Sequence, residues 1–290
     1  MSTSKLAVVA TPIGNLADLA PRAAEALKSA DLVLCEDTRH SKPLLDRLAS
    51  QARLVSCHQH NERERAAEVI VALREGKRVA LISDAGAPGV SDPGSRLIED
   101  VVAAGCAVEV FPGPSALTAA LMGAGIDVSR FVFLGFLPRS GGGRSELLAF
   151  AARSNLGVVI YEAPHRVADT LTDLAQAFAA RRVVVARELT KLHETFHRGT
   201  LGGALSPPFV DKGEAVILIE AAHDAVPRDD IGQAIDVDAV AADTSLPPKE
   251  RAKQIAKALQ IPVKDAYERV QRASMQSEDR LARAAALLAE

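Results

Sequence analysis

The sequence predicts an α/β protein with two α/β domains, at residues 1–115 and 116–222, then a linker at 223–240 and a small all-α unit at 241–290. Three observations lead there. Apolar, β-branched runs alternate with helix-length segments, which implies a mostly parallel sheet with helices on both faces. The runs Arg78–Ile82 and Val108–Phe111 end in SDAGAPGVSDPG (83–94) and PGPSA (112–116), each followed by a helix start. Beyond residue 241 the pattern becomes helix, three-residue break, helix.

Taken in order, Leu6–Ala10 reads as a strand ending in Thr11-Pro12-Ile13-Gly14-Asn15, and Pro21–Ala30 as a helix with proline at its first position. Asp31–Cys35 is a buried strand running into the polar stretch Glu36–His40. Leu54–Cys57 is a third strand and Glu62–Arg74 an amphipathic helix. Strands Arg78–Ile82 and Val108–Phe111 come next, expected to end side by side. Asp92 and Ser115 stand where helix caps belong, with Pro93 at a first helical position. The second domain reads as strand Arg130–Phe136, a flexible loop Leu137–Ser145, strand Gly157–Tyr161, helix 166–179 and strand Arg182–Ala186. Thr195–Leu201 and Glu214–Glu220 read as late, antiparallel neighbours. The tail reads as helices Lys249–Leu259, Val263–Ala273 and Glu278–Ala289, a pattern that suits a helix-turn-helix and equally a packing or dimerisation bundle.

Composition limits the function. With 34 Lys+Arg against 37 Asp+Glu the net charge is −3, so a nucleic-acid site must be a local basic patch. Trp is absent and aromatic residues make up 3%, which argues against a base-stacking platform. Cys35, Cys57 and Cys106 lie in or beside apolar runs without CxxC spacing, as expected of reduced thiols in a cytoplasmic protein. The N-terminal apolar run is short and meets a Pro-Ile-Gly turn, so it reads as a strand and not a signal peptide. No run approaches the length of a membrane span.

The candidate ligand site is the pair of glycine-proline turns, since ligands of open α/β sheets bind at the carboxyl ends of strands. Two ordinary strand-to-helix connections would give the same spacing. Gly86, Gly89 and Gly113 permit close backbone approach, while the prolines stiffen the turns. Ser95 stands where a P-loop needs Lys after Gly89-x4-Gly94, and no GxGxxG follows the first strand. Asp84 and Asp92 would repel phosphate but suit a cationic ligand such as a sulfonium. His193-Glu194-Thr195-Phe196-His197 matches the zinc motif HExxH, yet Thr195, Phe196, Gly199 and Thr200 favour a strand, where i and i+4 do not share a helical face. No metal is expected. Glu36–His40 and Arg187–Lys191 are polar clusters at strand ends, placed either as solvated loops or as walls of a cleft.

The stretches ATPIGNLAD, CEDTRHS, ISDAGAPGVSDPG, FPGPSA, GFLPR, YEAPHR and ARELTKLHE, in this order, closely resemble the ribosomal RNA small-subunit methyltransferase I family. That family belongs to the tetrapyrrole-methylase-like enzymes that use S-adenosylmethionine (SAM). The resemblance spans roughly residues 5–220 and extends to the helical tail. It implies SAM in a cleft between the two α/β domains, a homodimer, and methyl transfer to a cytidine ribose 2′-hydroxyl of small-subunit rRNA. Carried over by motif, SAM would meet Pro12, Gly14, Asp84, Ala85, Gly86, Gly89, Val90, Ser115 and Ala116, with Tyr161, Ala186 and Ala215 from the second domain. Lys191, Glu36 and Glu188 are the candidates for a base or stabilising charge, Lys191 preferred. Arg39, Arg139, Arg144 and Arg166 around the cleft, and Lys249, Arg251, Lys253 and Lys257 in the tail, are the candidate RNA contacts. The same fold serves tetrapyrrole and protein acceptors, and a non-catalytic ribosome-binding factor is the rival from another class.

Overall fold

The computed structural model describes residues 4–178, 180–222, 240, 246–259, 262–268 and 270–271. The chain forms two compact units, 1–223 and 224–290. Within the first unit, strands β1 (Leu6–Val9), β2 (Leu32–Cys35), β3 (Arg53–Ser56), β4 (Val79–Leu81) and β5 (Val108–Phe111) make one sheet. Its order is β3-β2-β4-β1-β5, with every pairing parallel. Strands of such a sheet are covered on both faces, which is why Leu32–Cys35 is apolar and buried throughout. Helices α3 (Glu62–Arg74) and α4 (Ser95–Ala103) pack Val69, Leu73, Leu97 and Val101 against Leu6, Leu34 and Leu81. On the opposite face, α1 (Pro21–Ser29) and α2 (Thr38–Arg47) bring Leu27 and Leu45 to Val9, Val33 and Ala80.

Several local expectations change in this sheet. β4 and β5 do not end side by side, because β1 lies between them. The polar stretch after β2 is the start of α2, capped by the Asp37 carboxylate accepting from the Arg39 N–H at 2.8 Å. Pro43 lies inside that helix. α4 begins at Ser95, beyond Asp92 and Pro93. Its cap comes from α3, where the buried Glu62 carboxylate accepts from the N–H groups of Arg96 (3.0 Å) and Leu97 (3.3 Å). Glu62→Ala should therefore leave two N–H groups without an acceptor and cost about 1–2 kcal/mol, read from the urea midpoint. Glu62→Gln, which keeps an acceptor oxygen, should cost clearly less; equal losses would mean that packing and not capping sets the effect.

The second sheet holds β6 (Phe131–Phe136), β7 (Gly157–Glu162), β8 (Arg182–Arg187), β9 (Thr195–Thr200) and β10 (Ala215–Ile219), in the order β6-β7-β10-β8-β9. β6 and β7 are parallel and the other neighbours antiparallel. The late strands β9 and β10 are not neighbours: β8 separates them. All five residues of β10 are buried, as the central place of an apolar strand requires. One face of this sheet is covered by α5 (Ala116–Gly123), whose Ala120 meets Val184, Val216 and Leu218; Ile13 and Leu189 belong to the same apolar cluster. The other face carries α6 (Gly142–Ser154) and α7 (Val167–Ala177) over Val158, Ile160, Val185 and Ile217.

The loop expected at 137–145 is shorter, since α6 begins at Gly142 and takes Arg144 into the interior. Arg144 is 8% exposed and donates to Asp173 (2.8 Å), the Pro138 carbonyl (3.0 Å) and the Thr170 hydroxyl (2.9 Å). It is a structural arginine and not an RNA contact. Arg166 is likewise engaged, pairing with the fully buried Glu162 carboxylate at 3.3 Å and donating to the Leu137 carbonyl at 3.0 Å. Both are drawn inward because Glu162 and the 137–138 carbonyls need donors that the apolar surroundings cannot supply.

In the second unit, α8 (Pro248–Leu259) is followed after Pro262 by helical residues 263–268 and 270–271. Arg251, expected as a phosphate contact, is buried there, on the helix whose Ala252 and Ile255 pack with Ala266. Lys249 and Lys253 are exposed, and Lys253 pairs with Glu250 at 3.6 Å. The Lys257 side chain and the helix expected at 278–289 lie outside the described residues. Among the described residues no helix is long and apolar enough to cross a membrane.

Candidate active site

The turns after β1, β4 and β5 meet at the carboxyl end of the first sheet. Thr11 and Gly86 exchange backbone hydrogen bonds of 2.8 and 3.0 Å, which locks the β1 and β4 turns together. Gly86 has φ +81°, so the backbone favours glycine, and a Cβ there would meet the Ile13 methyl at an ordinary contact of 3.4 Å. The second sheet approaches from the opposite side. Gly135 bulges out of β6 at φ +60°, where a Cβ would fall 2.8 Å from Ser91 Oγ. Tyr161 of β7 stands edge-on to Phe133 and Phe136, with centroids 4.9 and 5.6 Å away. Its hydroxyl oxygen accepts from the Leu117 N–H at 3.0 Å, and so caps α5 from the other sheet. Ser115 occupies the cap position of α5 but makes no side-chain cap bond.

Between these parts lies a cavity of about 400 Å³. Asp84, Ala85, Gly86, Val90, Ser115, Ala116, Tyr161 and Ala215, all expected at the ligand, lie on its wall. Four others do not. Ile13 takes the place of Pro12 at the wall. Gly14 lies under Lys191, whose Cγ would be 2.4 Å from an added Cβ. Gly89 is internal to its turn, accepting from Ser95 Oγ at 3.3 Å, and Ala186 belongs to the apolar cluster beneath. Sequence reasoning missed Phe136, Leu189 and Val216, which give the wall its apolar side. Phe136 at least could have been found, because GFLPR was already singled out.

The wall also carries acid. Asp84 accepts from the Asp37 N–H at 3.0 Å and so fixes the start of α2. Burial, with Glu36 and Asp84 nearby, pushes Asp92 up to about 6, against a hydrogen bond from Ser83. Burial and then the Asp84 charge raise Glu36 as well. A second, polar cavity of about 630 Å³ adjoins the first along Ser91 and Asp92, with Glu36, His60, Glu62 and Arg96 on its wall.

Lys191 donates to Glu188 at 3.0 Å and to Glu214 at 3.1 Å. Burial alone would lower its pKa, but these two carboxylates raise it above the usual lysine value. For Glu188, burial works upward, yet the Glu214 N–H and the Lys191 ammonium hold it below the usual carboxylate range. The pair is thus locked as cation and anion. Lys191 and Glu188 are engaged with each other and with Glu214, and neither is among the residues lining the two cavities. The HExxH pentapeptide lies on a turn and on β9. His197 is buried, its Nδ1 2.8 Å from the Pro207 carbonyl, and no group of three or more His, Cys, Asp or Glu could hold a metal among the described residues.

Residues 5–205 match the family model of the tetrapyrrole (corrin/porphyrin) methylases. A ribosomal RNA small subunit methyltransferase I from Thermotoga maritima is 44% identical over 70% of this chain and 90% of its own length. One from Synechocystis sp. is 45% identical over 75% and 79%. The chain belongs to the ribosomal RNA small subunit methyltransferase I family. Among solved structures, diphthine synthase (TM-score 0.59, 16% identity, 75% of this chain and 90% of that one) shares the fold. So does the methyltransferase CobJ (TM-score 0.58, 23% identity, 76% and 95%). The family motifs quoted above now have structural reasons: GFLPR supplies the β6 bulge against Ser91, and YEAPHR supplies Tyr161 and the Glu162–Arg166 pair. Of the four arginines expected around the cleft, Arg39 and Arg139 are exposed, Arg39 pairing with Asp37 at 2.7 Å.

Proposed function

We propose that this methyltransferase moves the methyl group of SAM to a cytidine ribose 2′-hydroxyl of small-subunit rRNA. The observation that carries the reading is the cavity between the two sheets, whose wall combines acidic and apolar residues. The acidic wall at Asp84 suits the cationic groups of the cofactor; Ile13, Leu189 and Val216 suit an adenine ring. Backbone of the 84–87 turn and the start of α5 supplies polar atoms that need no rearrangement. When bound, the cofactor supplies a methyl carbon already activated by positive sulfur. The chain then has to align the acceptor and exclude water, and such positioning can account for most of the acceleration. Arg39 and Arg139, with Lys249 and Lys253 of the tail, are the exposed candidates for phosphate contacts.

Incubation of the protein with tritiated SAM and, separately, rRNA, small subunits and protein extract tests this reading. Label is expected in RNA or subunits, as a ribose 2′-O-methyl that survives alkaline hydrolysis as an uncleaved dinucleotide. Label in protein, or in none of the three, would replace the reading with a protein acceptor or a binding factor.

A further inference from the structure

We propose that Asp92 accepts the proton of the acceptor hydroxyl, and that the polar cavity on its far side holds the acceptor nucleotide. The inference rests on the methyl-transfer reading above and assigns the place of its second substrate. Asp92 and Ser91 are the residues common to the two cavities, so a group in one and a group in the other meet at this aspartate. The remaining carboxylates around both are committed elsewhere or stand off the junction. Glu62 caps α4, Asp84 holds the Asp37 N–H, Glu162 is buried against Thr170 and Arg166, and Glu214 pairs with Lys191. Glu36 lines the polar cavity alone. Because Glu62 takes the capping role at α4, the Asp92 carboxyl is not spent on the helix that follows it. Pro93 stiffens the backbone on its C-terminal side.

The groups facing Asp92 come from several elements: Glu36 after β2, Ser83 and Asp84 after β4, and Tyr161 of β7. His60, Glu62 and Arg96 complete the adjoining wall. Burial and the two acidic neighbours bring Asp92 to about 6, close to neutral pH, where a carboxylate is still ionised and most useful as a base. In the step, an oxygen lone pair of the acceptor forms the new C–O bond as the S–CH₃ bond breaks. The sulfonium's bonding pair stays on sulfur as a neutral thioether. The hydroxyl proton passes to Asp92, giving a methyl ether and a protonated carboxyl that solvent later discharges.

The test follows single-turnover methyl transfer from pH 5 to 9, on whichever acceptor pool the wild-type protein labels, with calorimetry of SAM binding alongside. The acceptor identity thereby tests the functional reading, while the variant-to-wild-type ratio tests Asp92. Wild-type rates should rise with pH up to about 6 and then level. Measured at saturating SAM, as the calorimetry defines it, Asp92→Asn should lose roughly 10²–10³ in rate and lose the acid limb. Glu36→Gln removes one of the raising charges, so its acid limb should shift to lower pH; this variant also reads Asp92 if Asp92→Asn fails to fold. An Asp92→Asn protein within about tenfold of wild type, or one keeping the acid limb, would overturn the proposal, as would an unmoved limb in Glu36→Gln.

Discussion

Gly86→Val is expected to weaken SAM binding by roughly 100-fold or more, with the fold retained. Gly86 sits at φ +81° on the wall of the 400 Å³ cavity. A β-branched residue is a steric outlier in that conformation, at a strain of about 1–2 kcal/mol, and it would also place carbon on the Ile13 side of the cavity. Relaxing the strain would pull on the paired hydrogen bonds to Thr11, and so on the β1 and β4 turns together. Since about 1.4 kcal/mol is a factor of ten, strain and lost space together reach two decades. Calorimetry gives the affinity, and thermal unfolding should show a fall of only a few degrees. Gly86→Ala should lie between the two, because its Cβ meets Ile13 at an ordinary 3.4 Å. A valine variant that binds within threefold of wild type would remove this turn from the cofactor site.

Arg166→Met is expected to be the most destabilising single change among the motif residues, at about 3 kcal/mol. Glu162 has a side-chain exposure of 0% and Arg166 of 21%. Removing the arginine leaves a buried carboxylate whose desolvation is no longer offset by its partner, a loss of about 3–5 kcal/mol for a fully buried pair; the partial exposure of Arg166 puts it at the lower end. The Thr170 hydroxyl and the Ala163 N–H still donate to that carboxylate and limit the damage. Urea unfolding gives the loss. Adding Glu162→Gln should recover much of it, since a neutral amide costs less to bury than a charge. A single variant within about 0.5 kcal/mol of wild type would show that the pair does not hold the 137–138 segment in place.

The sequence by itself determined the local elements and the chemistry of the main turn. Each apolar run became a strand because its β-branched residues fill a surface covered on both faces, as Leu32–Cys35 does. Glycine, proline and aspartate at 83–94 identified a stiff acidic turn, and most of that turn does line the cavity. These properties depend on neighbours in the chain, so they are legible in it. Tertiary structure alone decided the rest. β1 between β4 and β5, and β8 between β9 and β10, are outcomes of sheet order, which no local pattern encodes. The cap of α4 comes from Glu62 on another helix, and that of α5 from Tyr161 on another sheet. Arg144 in its polar loop and Arg166 at a helix start look like surface cations, yet the buried Glu162, Thr170 and the 137–138 carbonyls draw them inward. A charged side chain goes where its desolvation is best offset by partners, and those partners converge only once the chain has folded.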